Sequence, residues 1–196
     1  MDALEDLQNK ISMLPGLGPK SARRIAYFLL KSDDEFNTSL GDSIKTIKTL
    51  IHPCPICGMF TDKETCSVCR DKSRDPSLLC VVEETQDVSI IEDSKIYRGY
   101  YHVLGGSISP IDGIYPQNLR FKELEERIEK GAFKEVIIAT NPTDAGDTTA
   151  MYTKKLLSKF ENLRFSRLAQ GLQAGGDLEF ANYRALSQSF KNRTDI

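Results

Sequence analysis

The sequence predicts an α+β protein of several modules: an N-terminal helical region, a small finger built on four cysteines, an α/β domain with a mostly parallel sheet, and a short C-terminal segment. Three observations carry that prediction. Apolar residues recur at helical spacing up to Ile51, two C-x-x-C pairs stand together at 54–69, and from Leu78 onward short β-rich runs alternate with helical ones. The expected boundaries are 1–53, 54–69, 78–173 and 174–196, with a polar linker at 70–77. A chain of 196 residues, 40% of them hydrophobic, is long enough to fold several small modules around a shared core.

Three helices are marked in the first region by Leu4, Leu7, Ile11 and Leu14, by Ala22, Ile25, Ala26 and Leu29, and by Leu40, Ile44, Ile47 and Ile51. Between the first two lies Leu14-Pro-Gly-Leu-Gly-Pro-Lys20, where Pro15 and Gly16 end one helix and Pro19 suits the first turn of the next. The glycines permit close backbone approach and leave the amides of Gly16, Leu17 and Gly18 at a helix N-terminus, whose partial positive charge favours an anion. Lys20, Arg23 and Arg24 add full charges, and no acid occurs from Gly18 to Lys31. Because the chain as a whole has a net charge of only −2, a polyanion can be held only by a segregated patch of this kind. The pattern resembles the helix-hairpin-helix motif, which grips DNA phosphates without reading bases, so these six residues are expected to contact DNA. The competing reading is a glycine turn with solvated cations.

The finger rests on Cys54-Pro-Ile-Cys57 and Cys66-Ser-Val-Cys69. Two-residue spacing turns both thiolates of a pair toward one ion, and four sulfurs make a closed tetrahedral shell, so Cys54, Cys57, Cys66 and Cys69 are expected to hold one structural Zn²⁺. Disulfides and scattered core cysteines are the alternatives. The acidic opening, Met1 to Asp6, and the absence of an apolar run of roughly 20 residues point to a cytosolic protein with reduced thiols. Cys80 reads as ordinary core and His52 as a cap or surface residue. The finger is expected to bury little apolar surface and to melt locally on chelation, the metal supplying its stability.

In the α/β domain, strands are expected at 78–82, 100–104, 136–139 and 165–169, and helices at 88–91, 119–128 and 147–160. Gly105-Gly106 and Gly175-Gly176 punctuate the run, and one amphipathic segment, 186–190, follows. Glu83, Asp144 and Asp147 fall at strand ends, where open parallel sheets bind ligands. The arrangement resembles the Toprim domain of topoisomerases and primases, whose enzymes use a first-strand Glu for acid/base work and an Asp-x-Asp pair for Mg²⁺. The matching triplet here is Asn141-Pro142-Thr143, and neutral oxygens are poor anchors for a hard cation. No Tyr or Ser nucleophile can be assigned, and His52 and His102 form no cluster, so no catalysis is expected. The alternative is a Mg²⁺-dependent nuclease or topoisomerase-like enzyme using Glu83, Asp144 and Asp147. A protein-only zinc adaptor is a third reading, and it leaves the placement of Lys20, Arg23 and Arg24 without a purpose.

The order helix-hairpin-helix, four-cysteine finger, Toprim is similar to the RecR family of bacterial recombination mediators, over nearly the whole chain. The matching stretches are 14–30, 54–69, 80–83, 139–143, Arg167-Leu-Ala-Gln-Gly171 and Gly175-Gly-Asp-Leu-Glu179. The resemblance implies a non-enzymatic, cytoplasmic and nucleoid-associated DNA clamp, a tetramer or dimer of dimers, that works with RecO and RecF to load RecA at gaps. It implies that Lys20 and Arg24 face DNA and that Glu83, Asp144 and Asp147 form an acidic docking surface. Gly175, Gly176, Asp177 and Glu179, in a Walker B-like segment, would join subunits rather than hydrolyse nucleotide, and no G-x-x-x-x-G-K-[ST] loop is present. Two departures stand out: Ala145-Gly146-Asp147 replaces the usual Glu-Gly-Glu, and Gln173 replaces a usual proline. The first is expected to weaken or rearrange the RecO contact, the second to leave its turn less pre-set.

Overall fold

Asp2 starts the first helix, α1 (Ala3–Ser12), by accepting the Leu4 amide at 3.3 Å. A computed structural model describes residues 2–194, and the chain divides after Ile51 into two units, each with its own core. In the first, α1 and α2 (Pro19–Lys31) pack through Ile11, Ala22 and Ala26, with Leu4, Leu7, Leu17, Ile25 and Leu29 around them. Small alanines at the crossing let the helix backbones approach closely. The third helix, α3 (Asp34–Leu50), is capped by Asp33, which accepts the Phe36 amide at 2.7 Å. It is tied back by Asn37 Nδ2 donating to the Leu29 carbonyl at 2.9 Å and by an edge-to-face contact of Phe28 with Phe36. Its periodic apolar residues are not core: Leu40, Ile44, Ile47 and Ile51 are all exposed, Ile44 by 67%.

The second unit begins with a two-stranded antiparallel ribbon, β1 (His52–Pro53) and β2 (Phe60–Thr61), and a single helical turn, α4 (Ser67–Arg70). The sheet domain then runs β3 (Leu78–Val82), α5 (Thr85–Ser94), β4 (Tyr100–Val103), α6 (Phe121–Lys130), β5 (Glu135–Ile138), α7 (Asp144–Leu157), β6 (Arg164–Arg167) and α8 (Tyr183–Lys191). Its four strands are parallel, in the order β4-β3-β5-β6. Strand β3 is the one expected; β4, β5 and β6 end one or two residues early. Helix α7 starts at Asp144 rather than 147 because the Thr143 hydroxyl caps it, accepting the Gly146 amide at 3.0 Å. Helix α6 starts at Phe121 rather than 119, behind a 3₁₀ turn at Pro116–Asn118.

Strand alternation divides β3 between two clusters. Leu79 and Val81 pack with Val136, Ile138, Leu124, Ile128, Ala150 and Leu157, under α6 and α7. Cys80 and Val82 face Val88, Tyr101 and Val103, and this second cluster also contains Cys54, Cys57, Cys66 and Val68. The finger is therefore not the shallow, self-contained loop expected from its length. It is docked on the sheet, and the Val103 amide at the β4 edge donates to the Cys57 carbonyl at 2.7 Å, which covers an edge that would otherwise be open. The supposed linker at 70–77 is also an anchor. Arg74 is buried, ion-paired with Glu92, and donates to the Gly99 carbonyl at 3.0 Å. The Arg74 guanidinium holds the Glu92 carboxyl below the usual carboxylate range. Among the described residues no helix is long and apolar enough to cross a membrane.

His102 is fully buried, with Nε2 2.9 Å from the Arg120 carbonyl. Burial pushes its pKa down to about 3, against about 6.5 in an unfolded chain. Between those values the unfolded state binds a proton that the folded state refuses, so stability is full above about pH 6.5 and falls on acidification by up to about 1.4 kcal/mol per pH unit. Urea titrations of the wild type and of His102→Gln from pH 6.5 to 4.5 should differ in slope by one proton; parallel slopes would refute the assignment.

Candidate metal centre and nucleic-acid interface

The four finger sulfurs lie within 4.8 Å of one another, and among the described residues they are the one group of three or more potential ligands that converges on a common point. A tetrahedral zinc–thiolate shell with bonds of about 2.3 Å needs sulfur–sulfur edges of roughly 3.8 Å, and Cys57 Sγ lies 3.5 Å from Cys66 Sγ. The Gly58 amide donates to the Cys54 carbonyl at 2.8 Å, and the Cys69 amide to Cys66 Sγ at 3.4 Å. These bonds turn each pair inward. The neighbouring Cys57 and Cys69 sulfurs hold the Cys66 thiol well below the usual thiol range, and the Cys66 sulfur beside it pushes Cys57 above that range. Four thiolates at these distances require a cation, and the set fits one structural zinc. Cys80, whose thiol burial pushes up to about 12, is apart from them in the core. His52 is exposed on β1 with its Nδ1 3.2 Å from the Pro53 carbonyl.

At the hairpin, Gly16 takes φ of +78°, a left-handed conformation that permits the tight entry into α2. Gly18 is the N-cap, Pro19 the first helical residue, and no side chain covers the first-turn amides. Leu17 departs from the expected role: its amide donates to the Leu14 carbonyl at 3.1 Å and its side chain packs in the hairpin core, so it shapes the turn rather than offering a donor. Lys20, Arg23 and Arg24 are exposed, and among the described residues none is paired with a carboxylate.

The strand-end carboxylates are arranged otherwise. Glu83 is buried and accepts the Asn141 backbone amide at 2.9 Å and Asn141 Nδ2 at 2.7 Å. Helix α7 can approach this pair because residue 146 is glycine; a Cβ there would collide with the Asn141 carbonyl and lie 2.9 Å from Glu83 Oε1. Asp144 and Asp147 point to cations of their own chain. Arg184 on α8 donates to Asp144 at 2.7 Å and also pairs with Asp147, and Arg167 on β6 reaches Asp147 at 2.6 Å. The three carboxylates thus do not converge on one point. Arg167 and Arg184 lie 20 and 37 positions from Asp147, and no local pattern links residues so far apart. In the C-terminal segment Gly175, Gly176, Asp177 and Glu179 are exposed, beside the exposed apolar side chains Leu178 and Phe180.

Comparison with known proteins adds three family matches. Residues 4–48 match the RecR helix-hairpin-helix family, 51–71 the RecR zinc finger domain of four cysteines, and 77–169 the Toprim domain. Among similar proteins are those named Recombination protein RecR from Leifsonia xyli, 45% identical over 98% of this chain and 97% of the relative, and from Treponema denticola, 47% identical over 98% of each. A third, from Syntrophobacter fumaroxidans, is 47% identical over 97% of this chain and 94% of the relative.

Proposed function

The chain belongs to the RecR family of recombination proteins, and on that footing we propose that it is a non-catalytic, sequence-independent DNA clamp that acts in the cytoplasm with RecO and RecF to load RecA at gaps. One contrast carries the reading. The cations at the start of α2 have no internal partners among the described residues, whereas each strand-end carboxylate is occupied: Glu83 by Asn141, Asp147 by Arg167 and Arg184, and Asp144 by Arg184. A free positive surface suits phosphate, and filled carboxylates do not suit Mg²⁺. Partners that dock at Asp144 and Asp147 must compete with those arginines.

Two apolar surfaces support an oligomer. One is the exposed face of α3, with Leu40, Ile44, Ile47 and Ile51; the other is the C-terminal Leu178, Phe180, Tyr183 and Phe190. Large apolar side chains grouped in this way mark association surfaces. Two such surfaces on one chain, each pairing with its own copy, would close into a dimer of dimers. Linking several weak phosphate grips in one particle raises affinity through effective concentration.

Light scattering on the protein alone and with gapped duplex tests the reading. The expected particle is a multiple of the 22.0 kDa chain; a monomer in both conditions counts against a clamp. Incubation with Mg²⁺ and supercoiled DNA should leave the DNA intact. Nicking abolished by Glu83→Gln would restore the enzyme reading.

A further inference from the structure

The C-terminal helix is held to the sheet domain in an unusual way. Helix α8 contributes no fully buried residue, and a cavity of about 340 Å³ lies between its inner residues, Ala185 and Gln188, and the strand-end residues Thr140, Pro142 and Leu168. A cavity at that position removes the dispersion contacts that normally fasten a helix to a sheet. Its directional contacts are polar. Arg184 spans Asp144 and Asp147 on the first turn of α7, the Leu172 amide donates to Ser189 Oγ at 2.7 Å, and Asn192 Nδ2 donates to the Gln170 carbonyl at 3.2 Å. Of these, Arg184 makes the only contacts that reach from α8 back to the α7 end of the sheet.

We propose that Arg184 with Asp144 and Asp147 is a charge-held latch that sets whether α8 presents its outer apolar side chains, Tyr183 and Phe190, in a fixed position. Asp144 and Asp147 hold the first turn of α8 through one guanidinium, so a cation that takes those carboxylates frees that turn and leaves the helix on its bonds to Gln170 and Leu172 alone. The consequence for assembly rests on the reading that the C-terminal segment joins subunits. Under it, occupation of the strand-end acids and tightness of the C-terminal joint are linked: whatever binds the first loosens the second, and the reverse holds by reciprocity. Helices with few buried apolar contacts open at low free-energy cost, which is what a latch requires.

Hydrogen exchange of the amides of 183–191 tests the latch directly, on the full-length wild type, Arg184→Gln and the double variant Asp144→Asn/Asp147→Asn. Losing charge-assisted hydrogen bonds on this scale should speed exchange there about tenfold or more in both variants, with 78–82 unchanged. Added salt to 1 M, where the screening length is about 3 Å, should move the wild type toward the variants and leave the variants where they are. Wild-type exchange rates at 183–191 in Arg184→Gln would overturn the proposal. Light scattering on the same samples separates the two ideas. Faster exchange with a smaller particle supports both; faster exchange with unchanged mass keeps the latch and removes the C-terminal segment from the subunit joint.

Discussion

Stripping the zinc, or replacing Cys57 with serine, should destabilise the sheet domain as well as the finger, lowering its melting temperature by about 10–20 °C. Binding energies of structural zinc in finger peptides are on the order of 10–16 kcal/mol, and a domain of this size is stable by only about 5–15 kcal/mol in total. The two magnitudes are comparable, so the outcome depends on whether finger and sheet share a core. They do: Cys54, Cys57, Cys66 and Val68 pack with Cys80, Val82, Val88, Tyr101 and Val103, and the β4 edge donates to the Cys57 carbonyl. A loss of roughly 5 kcal/mol shifts the melting point of a domain of this length by the amount stated. Hydrogen exchange after chelation should show lost protection at 100–103 in β4 along with 54–69. Cys80→Ala, a core cysteine outside the ligand set, should leave zinc binding intact. Protection lost at 54–69 alone, with β4 unaffected, would restore the picture of an independent finger.

That shared core shows where sequence reading reached and where it stopped. Element type was legible wherever one periodicity ran unbroken: the β3 run and the α2 apolar stripe are where their patterns put them. The ligand set was legible because zinc fixes both residue type and spacing. Residue-level packing between elements was not. Nothing in Cys54 to Cys69 announces that it docks on β4, since the contact is a backbone hydrogen bond and a few side chains with no period of their own. Arg74 looked like one more polar residue in a polar stretch, and only its position beside Glu92 makes it an anchor. The α3 stripe misled in the other direction. Helical periodicity reports that a face will be covered but not by what, and Leu40, Ile44 and Ile47 are covered by nothing among the described residues of their own chain. Asp144 and Asp147 read as a free acidic surface until Arg167 and Arg184 arrived from distant positions.

Lys20→Ala/Arg24→Ala should weaken duplex binding by about tenfold to a hundredfold per grip while leaving its indifference to base sequence unchanged. The two side chains stand one turn apart on α2, on the same face, and both are exposed with no carboxylate partner among the described residues. A lysine or arginine paired internally must give up that partner to bind a phosphate; these two give up only water. Behind them the N-terminus of α2, with glycine as cap and no acid in its first turn, adds a fixed partial positive charge that no side chain screens. Each phosphate contact removed should flatten the dependence of log affinity on log salt by roughly 0.9 in slope, so the double variant should lose about 1.8 per chain, multiplied by the number of grips engaged. Fluorescence anisotropy over a salt series reads both quantities. Lys122→Ala/Lys130→Ala, which removes an equal charge from two exposed positions on α6, controls for net charge. If the two variants lose affinity equally, binding is driven by overall charge and the hairpin is only a turn. If the hairpin variant alone loses slope, with its melting temperature unchanged, the phosphates sit at the start of α2.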